Sequence, residues 1–174
     1  MDSKDFLMIN PFTCPICNSV ECVPPSGNKE SKILLIGDFP EKDEVQKGKL
    51  LVGRTGDILR SELGRLGVDV RRLRACNVWQ HHPNNNEDCY NLGLQIAIKE
   101  AKNKQVILLL GAGAVKIFTG ENVRDVCGLN LKSTYLSAPI IISCVSPGIA
   151  FHSSIGELRL ALTKFAKATE EILC

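Results

Sequence analysis

The sequence predicts a three-layer α/β/α domain on a central four-stranded parallel sheet. Two observations carry this. Residues 33–37, 75–79, 106–110 and 140–145 are apolar runs without alternation, the pattern of strands buried on both faces. Helical periodicities lie between the runs, and strands alternating with helices imply parallel order.

Taken in chain order, residues 18–32 contain Pro24-Pro25-Ser26-Gly27-Asn28 and read as a connector rather than an interdomain linker. The first strand ends at Gly37-Asp38-Phe39-Pro40. Ile58, Leu59, Leu63 and Leu66 then mark one helical face, stopped by Gly67. Leu94, Ile98 and Ala101 mark a second, and Val115 with Phe118 a third. The last helix is expected to start at Ser154, where Ser154 and Glu157 have capping-box spacing, and to bury Leu158, Leu162 and Phe165. In such sheets ligands sit beyond the carboxyl ends of the strands. The segments to watch are therefore those starting at Asp38, Gln80, Gly111 and Ser146. Gly111-x-Gly113 lacks the third glycine of a dinucleotide fingerprint and reads as a tight strand-to-helix turn.

Composition narrows the class. A chain of 174 residues, 44% hydrophobic, fits one globular domain spanning 1–174. A net charge of +2 does not by itself call for a nucleic-acid partner, so DNA contact requires local clustering. Arg54, Arg60, Arg65, Arg71, Arg72 and Arg74 supply such clustering, either as phosphate contacts or as a solvated helix end. No signal peptide or membrane-length apolar run is present, so a cytoplasmic protein without membrane association is expected. Eight cysteines in that setting point to metal ligation or buried thiols rather than a disulfide framework. Cys14-Pro15-Ile16-Cys17 lets two thiolates reach one metal from a tight turn, within a segment at 14–22. Cys127, Cys144 and Cys174 read as packing or exposed residues.

The segment 47–67, KGKLLVGRTGDILRSELGRLG, together with Gly37-Asp38-x-Pro40, resembles the family 4 branch of the uracil-DNA glycosylase superfamily. That branch reads GExPG after the first strand, then G-x-P-F-V-G-R-A-G-x-L-L. Here Gly37, Asp38, Pro40, Gly48, Val52, Gly53, Arg54, Gly56 and Leu59 match. The resemblance runs from Cys14 to the final helix and implies the superfamily fold, DNA as partner and a 4Fe-4S cluster. Its cluster ligands fall on Cys14, Cys17 and Cys89, with His81 where the family motif N-V-V-K-C-R-P has cysteine. Histidine ligates zinc as well as iron, so zinc stands as the alternative. Cys22 and Cys76 are spare thiols.

The resemblance also assigns a base pocket. Asn77 matches the asparagine that reads the uracil edge, and its amide offers both donor and acceptor. Asp38 replaces the water-positioning glutamate with a shorter carboxylate; a strand-end aspartate that binds backbone amides is the alternative. Leu51 replaces the phenylalanine that stacks on the base, with Phe39 as the aromatic that could substitute. The final loop, H-P-A or H-P-S-P in the family, reads Ser143-Cys144-Val145-Ser146-Pro147-Gly148 here, so Ser146 or, in the other register, Cys144 stands where the leaving-base histidine is expected. His152 follows nearby. DNA contacts are expected from Arg54, Arg60, Ser146 and Gly148. Two functions follow: a monomeric glycosylase acting on uracil or another deaminated base, or a catalytically weak or inactive module that binds DNA or a replication or repair partner.

Overall fold

The computed structural model describes residues 12–152 and 155–174. Its sheet has five strands, not four, and is mixed. The strands are β1 (Ser26–Gly27), β2 (Ile33–Gly37), β3 (Arg74–Asn77), β4 (Val106–Leu110) and β5 (Ile140–Cys144), in the order β1-β3-β2-β4-β5. The last four in chain order are parallel, as expected. The additional strand β1 pairs antiparallel with β3, Ser26 opposite Ala75. This two-residue strand lies in the segment read as a connector, and it is too short to carry a periodic signal. β3 also stops at Asn77, because the backbone beyond it turns: Gln80 donates its side-chain amide to the Asn77 carbonyl at 2.9 Å.

The helices are α1 (Lys42–Lys47), α2 (Gly53–Arg65), α3 (Glu87–Glu100), α4 (Ala112–Thr119), α5 (Val123–Val126) and α6 (Gly156–Leu173). The connection from β2 to β3 crosses the sheet in one direction and those to β4 and β5 in the other. Right-handed crossovers therefore place α2 on one face and α3 with α4 on the opposite face. α6 returns beside α2, where Arg159 donates to the Glu62 carboxylate at 2.9 and 3.0 Å. Ile33, Leu34, Leu35, Ile36 and all of β4 are buried, as a strand covered on both faces requires. Leu59 and Leu63 bury the inner side of α2, while Leu66 lies beyond the helix and is largely exposed. In α6 the buried set includes Leu158, Leu162 and Phe165. The helix begins at Gly156 with Ile155 as its N-cap; Ser154, expected to cap it, lies outside the described residues.

β2 and β4 are neighbours whose connections leave in opposite directions, so their carboxyl ends open a crevice at the topological switch point. Asp38 leaves one side of that crevice and Gly111 the other.

Candidate active site and metal centre

A cavity of about 130 Å³ occupies this crevice, lined among others by Asp38, Phe39, Glu44, Leu51, Asn77 and Ser146. Asn77 is the last residue of β3 and only 6% exposed. Its side-chain Nδ2 has no hydrogen-bond partner among the described residues. Leaving a buried amide donor unpaired costs about 1–3 kcal/mol, which packing alone gives no reason to sustain. Room for this amide comes from Gly37, its register partner on β2: a Cβ there would stand 2.4 Å from Asn77 Oδ1.

Asp38 faces the same cavity but is held from behind. Its Oδ2 accepts the Gly113 backbone N–H at 3.1 Å, and its Oδ1 accepts that of Ala114. Burial pushes its carboxyl up from the usual range, and the two amides oppose the shift. A Cβ at Gly111 or Gly113 would lie 2.7 or 2.8 Å from the carboxylate, and Gly111 has φ 103°. The Gly-x-Gly turn is therefore shaped to bring α4's first amides onto Asp38.

Leu51 adopts φ 60°, a left-handed conformation costly for a branched side chain. Three neighbours fix it there. Its N–H donates to Glu44 Oε1 at 2.6 Å, and its carbonyl accepts from Arg60 Nη2 at 3.0 Å. Gly56 leaves room behind it, since a Cβ there would sit 2.4 Å from the Leu51 carbonyl carbon. Glu44 also accepts the Glu41 N–H at 2.9 Å, and burial pushes its carboxyl up. Sequence reasoning passed over Glu44; its signal is the Glu41-x-x-Glu44 spacing of a helix start. Phe39 lies at the cavity and meets the His82 ring edge-on, centroids 5.0 Å apart.

Ser146 accepts the Gly148 N–H on its Oγ at 3.3 Å and caps the 3-10 turn Pro147–Phe151. It lines both the small cavity and a wider cleft of about 570 Å³, which adds Lys42, Arg54, Arg124, Gly148 and His152. The two spaces also share Glu41 and Thr55. Arg54 lies 4.2 Å over the Phe151 ring. The other arginines of the segment do not gather at this cleft. Arg60 pairs with Asp57 at 2.9 Å, Arg65 with Glu62 at 3.6 Å, and Arg71 with Asp69 at 2.7 Å. Arg72 donates to the Leu173 carbonyl, and Arg74 is buried against Glu100 at 2.7 Å.

On the far side of the β3 end, Cys14, Cys17, His81 and Cys89 converge, with ligand atoms all within 4.8 Å of one another. The Cys-x-x-Cys turn is closed by Cys14 N–H to the Ser19 carbonyl at 2.8 Å and Asn18 N–H to the Cys14 carbonyl at 2.9 Å. Cys89 sits in the first turn of α3, whose N-cap Asn86 accepts its N–H at 3.3 Å. Burial works against ionisation of Cys14, but the Cys17 and Ile16 backbone amides, with Cys17 and His81, outweigh it and bring the thiol down to about 6. Burial, then Cys17 and Cys14, push Cys89 up to about 11. The spare cysteines lie outside the four-donor set. Cys22 packs beside Cys14 and Cys89, and burial pushes it up to about 12. Cys76 lies in the main core and is held a neutral thiol by burial.

An α/β sheet with its ligand crevice at the switch point and a Cys/His cluster beside the same strand end define the class. Residues 24–164 match the Uracil DNA glycosylase superfamily, and the chain belongs to it. Its similarities place it in a family-4-like branch. It is 29% identical to the Type-4 uracil-DNA glycosylase of Thermotoga maritima over 84% of this chain and 80% of that protein. It is 30% identical to the Archaeoglobus fulgidus protein of the same description, over 51% of this chain and 46% of that one. The Sulfurisphaera tokodaii protein, again a Type-4 uracil-DNA glycosylase, is 27% identical over 76% and 67%.

Proposed function

We propose that this protein binds a flipped uracil or other deaminated base of DNA in the small crevice and hydrolyses its N-glycosidic bond. The observation that carries this reading is Asn77, a buried residue lining a cavity of about 130 Å³, whose amide Nδ2 has no hydrogen-bond partner among the described residues. An extruded base is read through its hydrogen-bonding edge, and an amide donor held ready without a partner suits that task. Phe39 and Leu51 border the ring's faces, Phe39 supplying the aromatic surface. The adjoining cleft, with Lys42, Arg54 and Arg124, fits the phosphodiester strand that carries the base.

In this mechanism Asp38 works as a fixed negative charge. Each of its oxygens already accepts one amide, and a second lone pair on each remains to hold a water near the sugar. As the bond to the base breaks, positive charge grows on the sugar, and a carboxylate held rigid by α4's N-terminus stabilises it without reorganising. Ser146 offers a hydroxyl to the departing base. A hydroxyl stabilises that charge less than an imidazole would, so slow turnover is expected.

Excision from single-stranded and duplex oligonucleotides bearing one uracil, read by alkaline cleavage, tests the proposal. Asn77→Ala and Asp38→Ala should each slow single-turnover excision while DNA affinity persists. A second reading, binding without chemistry, is favoured by the engagement of both Asp38 oxygens with α4. Affinity for DNA without excision of uracil, hypoxanthine or xanthine would select it.

A further inference from the structure

The resemblance implies a 4Fe-4S cluster, and the spacing of the ligand atoms argues against one. In a cuboidal cluster each protein ligand binds a different iron. The eight-atom core then lies among the ligands and spreads them well beyond contact. Here Cys14 Sγ and Cys89 Sγ are 3.8 Å apart, in van der Waals contact, and Cys17 Sγ is 3.5 Å from His81 Nε2. No pair of donor atoms exceeds 4.8 Å. That space holds one ion. Zn–S bonds of about 2.3 Å and Zn–N bonds of about 2.0–2.1 Å, at tetrahedral angles, give edges of about 3.8 Å between sulfurs and about 3.5–3.6 Å from sulfur to nitrogen.

We infer that Cys14, Cys17, His81 and Cys89 form a closed, tetrahedral site for a single zinc ion in place of the family's four-iron cluster. Three thiolates and one imidazole are a usual structural-zinc donor set, and four protein ligands leave no open position for chemistry. The outer contacts are also prepared. His81 Nδ1 lies 2.8 Å from the His82 carbonyl; as the donor there it leaves the Nε2 lone pair directed at the site. Asn84 Nδ2 stands 4.0 Å from Cys89 Sγ, the side from which an amide tempers thiolate charge. Cys22 packs against the cluster but lies outside the four-donor set. The inference is independent of whether the protein excises bases.

The test is metal and sulfide content of the whole chain, produced in cells replete in iron and zinc and purified anaerobically. Expected are about one zinc per chain, no acid-labile sulfide and a colourless protein. Cobalt(II) exchanged into the site should give the intense visible bands of tetrahedral thiolate coordination. Cys22→Ser should keep the zinc, His81→Cys should keep it with four thiolates, and Cys17→Ser should release it to a chelator far faster. A brown protein carrying iron and sulfide overturns the inference, as does a protein with neither metal. Because wild-type content decides, a variant that fails to fold does not affect the outcome.

Discussion

Asn77→Ala should make the protein more stable and less able to recognise a base. The wild type keeps Nδ2 buried and unpaired, at a cost of about 1–3 kcal/mol. Truncation removes that donor and also gives up the amide's packing in β3, so a net gain of about 1 kcal/mol is expected. For a chain of this size that raises Tm by about 2–4 °C. Recognition moves the other way. Losing an amide's hydrogen bonds to a buried base edge costs about 1–3 kcal/mol, or roughly 5- to 150-fold in single-turnover excision at sub-saturating enzyme. Urea unfolding gives the first quantity, with an unchanged m-value showing that the transition remains comparable. Should Asn77→Ala be less stable than wild type by 1 kcal/mol or more, the amide is a packing element. Should excision be unchanged, the cavity is not where the base sits.

Ser146→His should accelerate excision, since an imidazole would then stand where charge develops on the leaving base; unchanged rates would remove Ser146 from the reaction. Replacing Arg54 and Arg124 with Ala should flatten the fall of DNA affinity with salt, whereas Arg71→Ala, away from the cleft and paired with Asp69, should leave that slope intact. Glu100→Gln should cost about 2 kcal/mol at neutral pH, because it leaves Arg74 buried without its counter-charge. The hydrogen bond from Arg74 holds the Glu100 carboxyl below its ordinary value. Its contribution is therefore complete above the unfolded carboxylate's pKa, about 4.3, and fades as pH falls through the lower folded value. Unfolding curves of wild type and variant should thus converge in acid, and a constant gap would refute the assignment.

β2 and β4 were legible as uninterrupted apolar runs, buried throughout but for Gly37 at the end of β2, whereas β3 and β5 carry Asn77 and Ser143 among their apolar residues. β1 was not, since its two residues derive their pairing from β3 rather than from any pattern of their own. The four residues of the Cys/His cluster were readable from Cys-x-x-Cys and motif alignment, and the structure brings all four together into a group able to hold a metal ion. The arginines mislead as a row of charges: spaced along α2 and the turn after it, most find acceptors within the chain instead of a common face. Glu44 was hidden for the opposite reason. Its partner Leu51 lies seven residues on, in a loop whose left-handed backbone no local periodicity announces.

The Cys/His cluster also sets a timetable for synthesis. Cys14 and Cys89 are separated by 75 positions in the chain. At about 5–20 residues per second, the Cys-x-x-Cys pair leaves the ribosome roughly 4–15 s before α3 can bring Cys89 to it. During that interval the two thiols have neither His81 nor Cys89 beside them and are open to oxidants and to stray ions. The growing chain thus carries the Cys-x-x-Cys pair without its partners before the sheet exists, and under the single-zinc inference above, reducing conditions and free zinc during translation should govern yield more than conditions after release.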